Sequence, residues 1–327
     1  MKIVPTKNVA SLANFILSDD CKSIAILTGA GVSVASGIPD FRSSGGLYDT
    51  LRPELITCSE QERRLMAMDP TYVVSWDIFS QNAFPYLEVR RPFILGTAER
   101  KWKATLAHRF AELLHTKTGK LTRVYTQNID GLDRQCQGLS ADKIVPVHGS
   151  ISRVACEGCQ TPMDFDRFCE LVRSNIKDIY KVDALAPATS SPIPCPACQK
   201  PLVKPTTVLF GRSLPMEFFE KLEQDLPTVD LLIVAGTSLV VSPANSVVYK
   251  VPDTTQRVVI NLEPVGEDLG IEYSHRKNSR DWFLQGSCDE VFLELIQHLG
   301  WLDDLDINVL PKASASLVNK VRTSKKS

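Results

Sequence analysis

The sequence has no excess of charge of either sign. Its 327 residues carry 37 Lys and Arg against 38 Asp and Glu, a formal net charge of -1. Such a balance gives no electrostatic case for nucleic acid as the main partner, and no basic, aromatic-interleaved face supplies one. Long hydrophobic runs are missing too. No apolar stretch approaches the roughly eighteen residues of a membrane span. The first stretch, MKIVPTKNVASLANF, has no signal-peptide core and is not rich in Arg and Ser. The expectation is a soluble intracellular protein of nucleus or cytoplasm, with no membrane partner. An even cysteine set is also absent. Nine cysteines in a chain this large argue against a disulfide framework. Cys21, Cys58, Cys136, Cys169 and Cys288 stand singly and read as small buried hydrophobes. Finally, no serine sits in an elbow motif, so a hydrolytic triad is not expected.

What is present is ample core material, 43 % hydrophobic residues, enough for one large domain or two modest ones. Short apolar runs predict buried strands at SIAIL (23–27), RVYT (123–126), KIVPV (143–147), DLLIVAG (230–236), RVVINL (257–262) and WFL (282–284). Between them, apolar residues at helical spacing predict helices over 8–18, 104–114, 214–226, 242–250 and 287–300. Ser242 and Ser287 read as N-caps of the last two. The alternation implies an α/β fold, a doubly wound parallel sheet covered on both faces. Two regions interrupt it. Residues 50–103 have weak periodicity and read as an insertion of short helices. Residues 151–202 hold paired cysteines and the loop signal LAPATSSPIP. That leaves 8–150 and 203–300 as a discontinuous sheet domain and 302–327 as a disordered tail.

The chemistry gathers at predicted strand ends. TGAGVSVASGIPDF (28–41) follows the first strand. Gly29, Ala30 and Gly31 suit a tight turn against a pyrophosphate, but Val34 stands where a hydride-transfer fingerprint wants its third glycine. GTSLVVSP (236–243) is a second small-residue turn, whose Thr237 and Ser238 can donate to phosphate or ribose. Asn261 and Glu263 leave a third strand end, where a carboxylate commonly binds a ribose diol. Gln127, Asn128 and Asp130 leave YTQNIDGLD, and His148 leaves KIVPV. A lone histidine is more often structural. One at a strand end, in step with other polar strand ends, sits where an α/β enzyme places its base. Cys156-Glu-Gly-Cys159 and Cys195-Pro-Ala-Cys198 are two C-x2-C knuckles, a strong tetrahedral zinc signal. Four thiolates leave no open position, so the zinc is expected to be structural.

These motifs, in this order, resemble the sirtuins, the NAD-dependent protein deacylases. The match runs from GAGVSVASGIPDFRSSGGLY (29–48) through YTQNIDGLD, VHGS, the cysteine pairs, KPTTVLFG (204–211), GTSLVVSP and INLEP to LGW, and is weak over 50–103. The resemblance implies a Rossmann-like NAD domain, a smaller zinc-binding domain, and an acyl-lysine peptide in the cleft between them, histone tails among the candidates. NAD is then consumed, not reduced. Gly29, Ala30, Gly31 and Ser33 would cradle phosphates. Pro39, Asp40, Phe41 and Arg42 would close over the nicotinamide ribose. Gln127, Asn128 and Asp130 would line the nicotinamide pocket, with His148 as base, Asn128 and Asp130 sharing the catalytic set. Gly236, Thr237, Ser238, Asn261 and Glu263 would hold the adenosine half, with the Cys288 backbone by the adenine. Val208, Phe210 and Gly211 would pair with the peptide by strand addition.

Arg212 departs from the acidic residue the family often carries after FG. No Tyr-x-x-Arg arrangement for acidic acyl groups is evident, which favours acetyl or neutral chains. Deacetylation yielding nicotinamide and O-acetyl-ADP-ribose is thus the leading expectation. A protein mono-ADP-ribosyltransferase on the same scaffold is the alternative.

Overall fold

The computed structural model describes residues 8–38, 46, 48–273 and 279–324. Its strands, in chain order, are β1 (Ile24–Thr28), β2 (Leu121–Thr126), β3 (Ile144–Pro146), β4 (Val154–Cys156), β5 (Pro162–Met163), β6 (Val203–Pro205), β7 (Leu231–Ala235), β8 (Gln256–Asn261) and β9 (Asp281–Gln285). The helices are α1 (Val9–Leu17), α2 (Glu60–Met68), α3 (Trp76–Phe79), α4 (Phe84–Ala98), α5 (Leu106–Thr118), α6 (Phe165–Asn175), α7 (Met216–Asp225), α8 (Val247–Lys250), α9 (Cys288–His298) and α10 (Lys312–Ser324).

Six strands form one sheet in the order β3-β2-β1-β7-β8-β9, and every pairing in it is parallel. β1 and β7 are buried on both faces, which is why they read as unbroken apolar runs. Successive side chains enter opposite layers. Ile24, Ile26, Ile233 and Ile260 face a core completed by Leu12, Phe110 and Phe292. Ala25, Leu27, Leu232 and Val234 face Phe218, Leu222 and Val248. Each fully buried aliphatic contributes roughly 1.5–3 kcal/mol. The chain leaves β1, builds outward to β3, and returns to β7 on β1's other side. Strand order therefore reverses between β1 and β7, the switch point where doubly wound sheets open a crevice.

The second sheet, β5-β4-β6, is antiparallel. Its third strand begins at Val203, so the cysteine-bearing module runs past 202. Its core is shared with the insertion. Met66, Ile78, Phe79, Tyr86 and Ile94 pack with Phe168, Val172, Ile193 and Val203. In α4, Tyr86 to Arg91 are buried without a break. A helix buried all round has no polar face, so the sequence shows no amphipathic period.

Two further expectations change. Residues 302–324 are not a disordered tail. Leu302, Leu305, Leu310 and Val318 are buried in the large core. Ser314 of α10 donates to Asp289, and the Arg322 guanidinium holds the Leu302 and Leu305 carbonyls at 2.9 Å each. The basic composition of the last residues hid an apolar stripe upstream of it. The helix expected over 242–250 starts late, with a 3-10 turn at Ala244–Ser246 before α8, so Ser242 is not its cap. Ser287 does cap α9, accepting from the Glu290 N–H.

Candidate active site

The switch point is made by loop packing against loop. Gly29 N–H donates to the Ala235 carbonyl at 3.0 Å and Gly31 N–H to the Gly236 carbonyl at 2.8 Å. A Cβ on Gly29 would lie 2.6 Å from Thr237 Cβ, and one on Gly31 2.7 Å from Gly236 Cα. Gly236 itself sits at φ 61°, a conformation glycine adopts at no steric cost. Gly29 and Gly31 are expected to allow close approach to phosphate. Here they first permit close approach to Gly236 and Thr237. Ala30 opens a 3-10 helix that continues to Ser36, with Ser33 buried on its inner side.

Behind that turn lies a buried polar chain. Asn128 Nδ2 donates to the Gly29 carbonyl at 3.0 Å and to Ser33 Oγ at 3.2 Å. Ser33 Oγ donates to Asp130 Oδ2 at 2.7 Å, while Leu132 N–H donates to Asp130 Oδ1 at 2.9 Å. These bonds fix the carboxylate beneath the first loop. Burial pushes the Asp130 carboxyl up from its ordinary value, against the pull of His108.

His108 and Asp133, neither of them expected at the site, complete this cluster. Ligand atoms of His108, Asp130 and Asp133 lie within 4.8 Å of one another, all buried. Thr105 caps α5, and its N–H donates to His108 Nδ1 at 3.1 Å. A nitrogen that accepts leaves the ring proton on Nε2. Burial pushes the His108 imidazole down to about 4 and the Asp133 carboxyl up to about 6. The signal that could have found them was in KATLAHRF: a threonine cap with histidine at the third helical position.

His148 has the opposite tautomer. Its Nδ1 lies 2.9 Å from the Gln127 carbonyl. A carbonyl only accepts, so Nδ1 carries the proton and Nε2 is the basic nitrogen. Gln127 also reaches across to the second turn, its Nε2 3.2 Å from Thr237 Oγ1. Asn261 Nδ2 donates to the Glu263 carbonyl at 3.1 Å, and Gly236 N–H donates to the Ile260 carbonyl at 3.0 Å. The three strand ends are thereby stitched together. Ser238 and Glu263 are exposed at the outer lip. Cys288 is the first residue of α9; its thiol is in the apolar core, where burial pushes it up to about 12. Pro39, Asp40, Phe41 and Arg42 lie outside the described residues.

On the other side of His148 runs the segment expected to pair with peptide. Val208 N–H donates to the His148 carbonyl at 2.9 Å. Phe210 is already paired: its N–H donates to the Val74 carbonyl at 3.0 Å, and its carbonyl accepts from Trp76 N–H at 2.8 Å. In extended chain, neighbouring residues point their N–H and C=O to opposite edges. Phe210 thus turns its N–H and C=O away from the far edge, its ring is exposed, and Gly211 at φ 86° ends the extended run.

The four knuckle cysteines meet. Cys156 and Cys198 Sγ are 3.7 Å apart and Cys159 and Cys195 Sγ 3.6 Å apart, with all four within 4.8 Å. Tetrahedral zinc–thiolate bonds require about 3.8 Å between sulfurs, so the donor set fits one zinc ion. The two knuckles repeat one geometry. In each, a glutamine follows the second cysteine at positive φ, Gln160 at 61° and Gln199 at 60°. Each first cysteine donates its N–H across the turn, Cys156 to Thr161 and Cys195 to Lys200.

Comparison with known proteins agrees with this arrangement. The Sir2 family model matches residues 29–243. The NAD-dependent protein deacetylase sirtuin-2 of Danio rerio is 32 % identical over 318 residues, covering 93 % of this chain and 75 % of that protein. The NAD-dependent protein deacetylase hst2 of Schizosaccharomyces pombe is 34 % identical over 304 residues, 92 % and 79 % of the two chains. A similarity spread over nearly the whole chain takes in the switch-point glycines, His148 and the paired knuckles, and on that ground the chain belongs to the Sir2 family.

Proposed function

We propose that this chain is an NAD-dependent protein-lysine deacetylase, passing the acetyl group of a lysine side chain to ADP-ribose with release of nicotinamide. The observation that carries the reading is the placement of His148. Through Nδ1 it is held by Gln127, at the nucleotide side. Through its carbonyl it holds Val208, at the peptide side. One residue thus joins both substrates' sites and presents a basic nitrogen between them. NAD would supply the electrophilic ribose carbon and the leaving nicotinamide.

The chain's own residues do the rest. Gly29, Ala30, Gly31, Ser33, Gly236, Thr237 and Ser238 shape the phosphate and ribose turns. Asn128 and Asp130 orient the nicotinamide end, held rigid by their bonds to Gly29 and Ser33. His148 Nε2 takes a proton from a ribose hydroxyl, general base catalysis worth about 100- to 10,000-fold. The segment from Val208 through Phe210 to Gly211 receives the peptide as an added strand, a mode that gives affinity with little sequence preference. Cys156, Cys159, Cys195 and Cys198 hold one zinc, closed to substrate. Acetylated proteins of nucleus and cytoplasm are the substrate class, histone tails the first to assay.

The test is mass spectrometry of an acetyl-lysine peptide incubated with NAD. One nicotinamide should appear per peptide deacetylated. An intact peptide beside ADP-ribosylated protein would assign a mono-ADP-ribosyltransferase instead. His148→Tyr should remove turnover by at least about 100-fold while leaving the thermal melt in place; undiminished turnover refutes the base assignment.

A further inference from the structure

We infer that Arg212 makes the peptide site selective for acyl-lysines flanked by aspartate or glutamate within two residues of the lysine. The inference rests on the proposed pairing of peptide with residues 208–211 and says which peptides pair best.

Arg212 stands one residue beyond that segment. The chain turns there, with Gly211 at φ 86° and Arg212 N–H donating back to the Leu209 carbonyl at 3.0 Å. The side chain is fixed. Its guanidinium carbon lies 4.5 Å from the Trp76 ring centroid, and the Trp76 backbone N–H donates to the Phe210 carbonyl, holding the two segments together. Stacking holds the flat face of a guanidinium and leaves its N–H edge to receive a carboxylate in bidentate fashion.

Among the described residues the Arg212 charge is only partly met. Among the described residues Arg212 has one ion-pair partner, Glu157, at 3.5 Å. Glu157 is more closely engaged elsewhere: its other oxygen is 2.9 Å from the Lys204 ammonium, which is wholly buried. A buried ammonium has no water to replace that partner. It also donates to the carbonyls of Pro205 and Thr207, at 2.8 and 2.6 Å. Two cations therefore share one carboxylate, and the surplus positive charge lies on the side chain that is 42 % exposed. An added carboxylate meets a pre-positioned cation and does not have to immobilise a flexible one. An exposed pair of this kind is worth about two- to fivefold in affinity.

The experiment uses the full chain with NAD and three matched acetyl-lysine peptides, whose flanking position carries Asp, Asn or Lys in turn. Nicotinamide release gives kcat and KM. The expected order of kcat/KM is Asp, Asn, Lys, about two- to fivefold per step, carried by KM, and compressed in 1 M salt, where screening reaches about 3 Å. Arg212→Glu should invert the order and Arg212→Gln should flatten it. Equal kcat/KM for the three peptides at every flanking position would overturn the inference and leave the deacetylase reading standing. So would an unchanged order in Arg212→Glu. Release of nicotinamide with no peptide of any charge would overturn both.

Discussion

The two halves of the molecule bury charge in different ways. In the large sheet the charged pairs bridge neighbouring elements. Arg257 of β8 forks onto both Asp281 oxygens of β9 at 2.6 Å. Arg123 of β2 forks onto Asp225 of α7 at 2.6 and 2.9 Å. Aliphatic layers surround these pairs and carry the bulk of the stability. In the small half buried charges gather along α4, apart from Lys204 of β6. Glu88 of α4, wholly buried, accepts from Thr57 N–H at 2.8 Å and Ser190 Oγ at 2.5 Å. Arg91 donates to the Ile176 carbonyl at 2.9 Å and to Asp183 at 2.6 Å. The insertion and the loop between the cysteine pairs are thus bound by directional contacts, over a modest core closed by four thiolates. Burial of aliphatic area tolerates small shifts; directional bonds and metal ligation do not. The small half should fail as a unit when its metal site fails.

Removing a zinc ligand is the most severe way to break the comparison. Structural zinc contributes about 10–16 kcal/mol of apparent binding energy in small domains, more than a domain's usual net stability of about 5–15 kcal/mol. Cys195→Ala should lose its zinc and its amide protection over α4 and α6, while β7 and β8 keep theirs. Hydrogen exchange read by mass spectrometry, beside a zinc assay, decides it. Equal loss of protection in β7 and β8 would show one cooperative unit and end the distinction.

A buried pair in the sheet half should cost less and act everywhere. Arg257→Met removes the cation from the buried Asp281 carboxylate and leaves it the Glu272 N–H, at about 3–5 kcal/mol. Pairing it with Asp281→Leu should recover the part due to the uncompensated charge, and not the part due to the Val248 and Gly270 carbonyls that Arg257 also serves. Urea melts of both variants measure this.

The same contrast governs what the sequence displays. β1, β7 and β8 are buried on both faces, so their composition alone marks them. The strand-end residues Gln127, Asn128, Asp130, His148 and Thr237 were legible because each polar group follows an apolar run. α4 was not legible, since six consecutive buried residues that include Glu88, Arg90 and Arg91 carry no period. The partnership of Glu157 with Lys204 was invisible for another reason: the two are 47 positions apart and meet only after the knuckles close. Likewise, α10 was hidden because its buried residues Ser314 and Val318 are too sparse to announce a helix.

The cluster beneath the cofactor turn predicts a smaller effect with opposite signs. Burial depresses His108 to about 4, from an ordinary value near 6.5. The stability it contributes is complete above pH 6.5 and is lost as pH falls toward 4. Asp133, raised to about 6, binds its proton more tightly when folded. It costs stability above pH 6 and returns it as pH falls toward 4. The two trends oppose each other over that range. Lowering the pH from 7 to 5 should therefore destabilise His108→Gln less than the parent protein, by about 2 kcal/mol. Asp133→Asn should lose more than the parent. Thermal melts at the two pH values read both signs, and parallel behaviour of the three proteins would refute the assignment.

The smallest effect sharpens the comparison at its margin, in α10. This helix packs on the sheet half yet is anchored by a directional bond, Ser314 to the buried Asp289. If apolar burial governs here as it does in the sheet, Val318 holds the helix and the hydroxyl merely orients it. Asp289 complicates that view. Burial raises its carboxyl, and the Ser314 hydroxyl is the side-chain bond that most counters the rise. Ser314→Ala leaves a desolvated oxygen without its donor, a loss of about 1–2 kcal/mol. The loss should be local, because Leu302, Leu305 and Leu310 still hold the preceding turns in the core. Amide exchange should quicken across 312–324 and remain slow in α9. Quickening in α9 as well would mean that α10 is a structural part of the sheet half and that one hydrogen bond, not the apolar layer, sets the stability of its outer face.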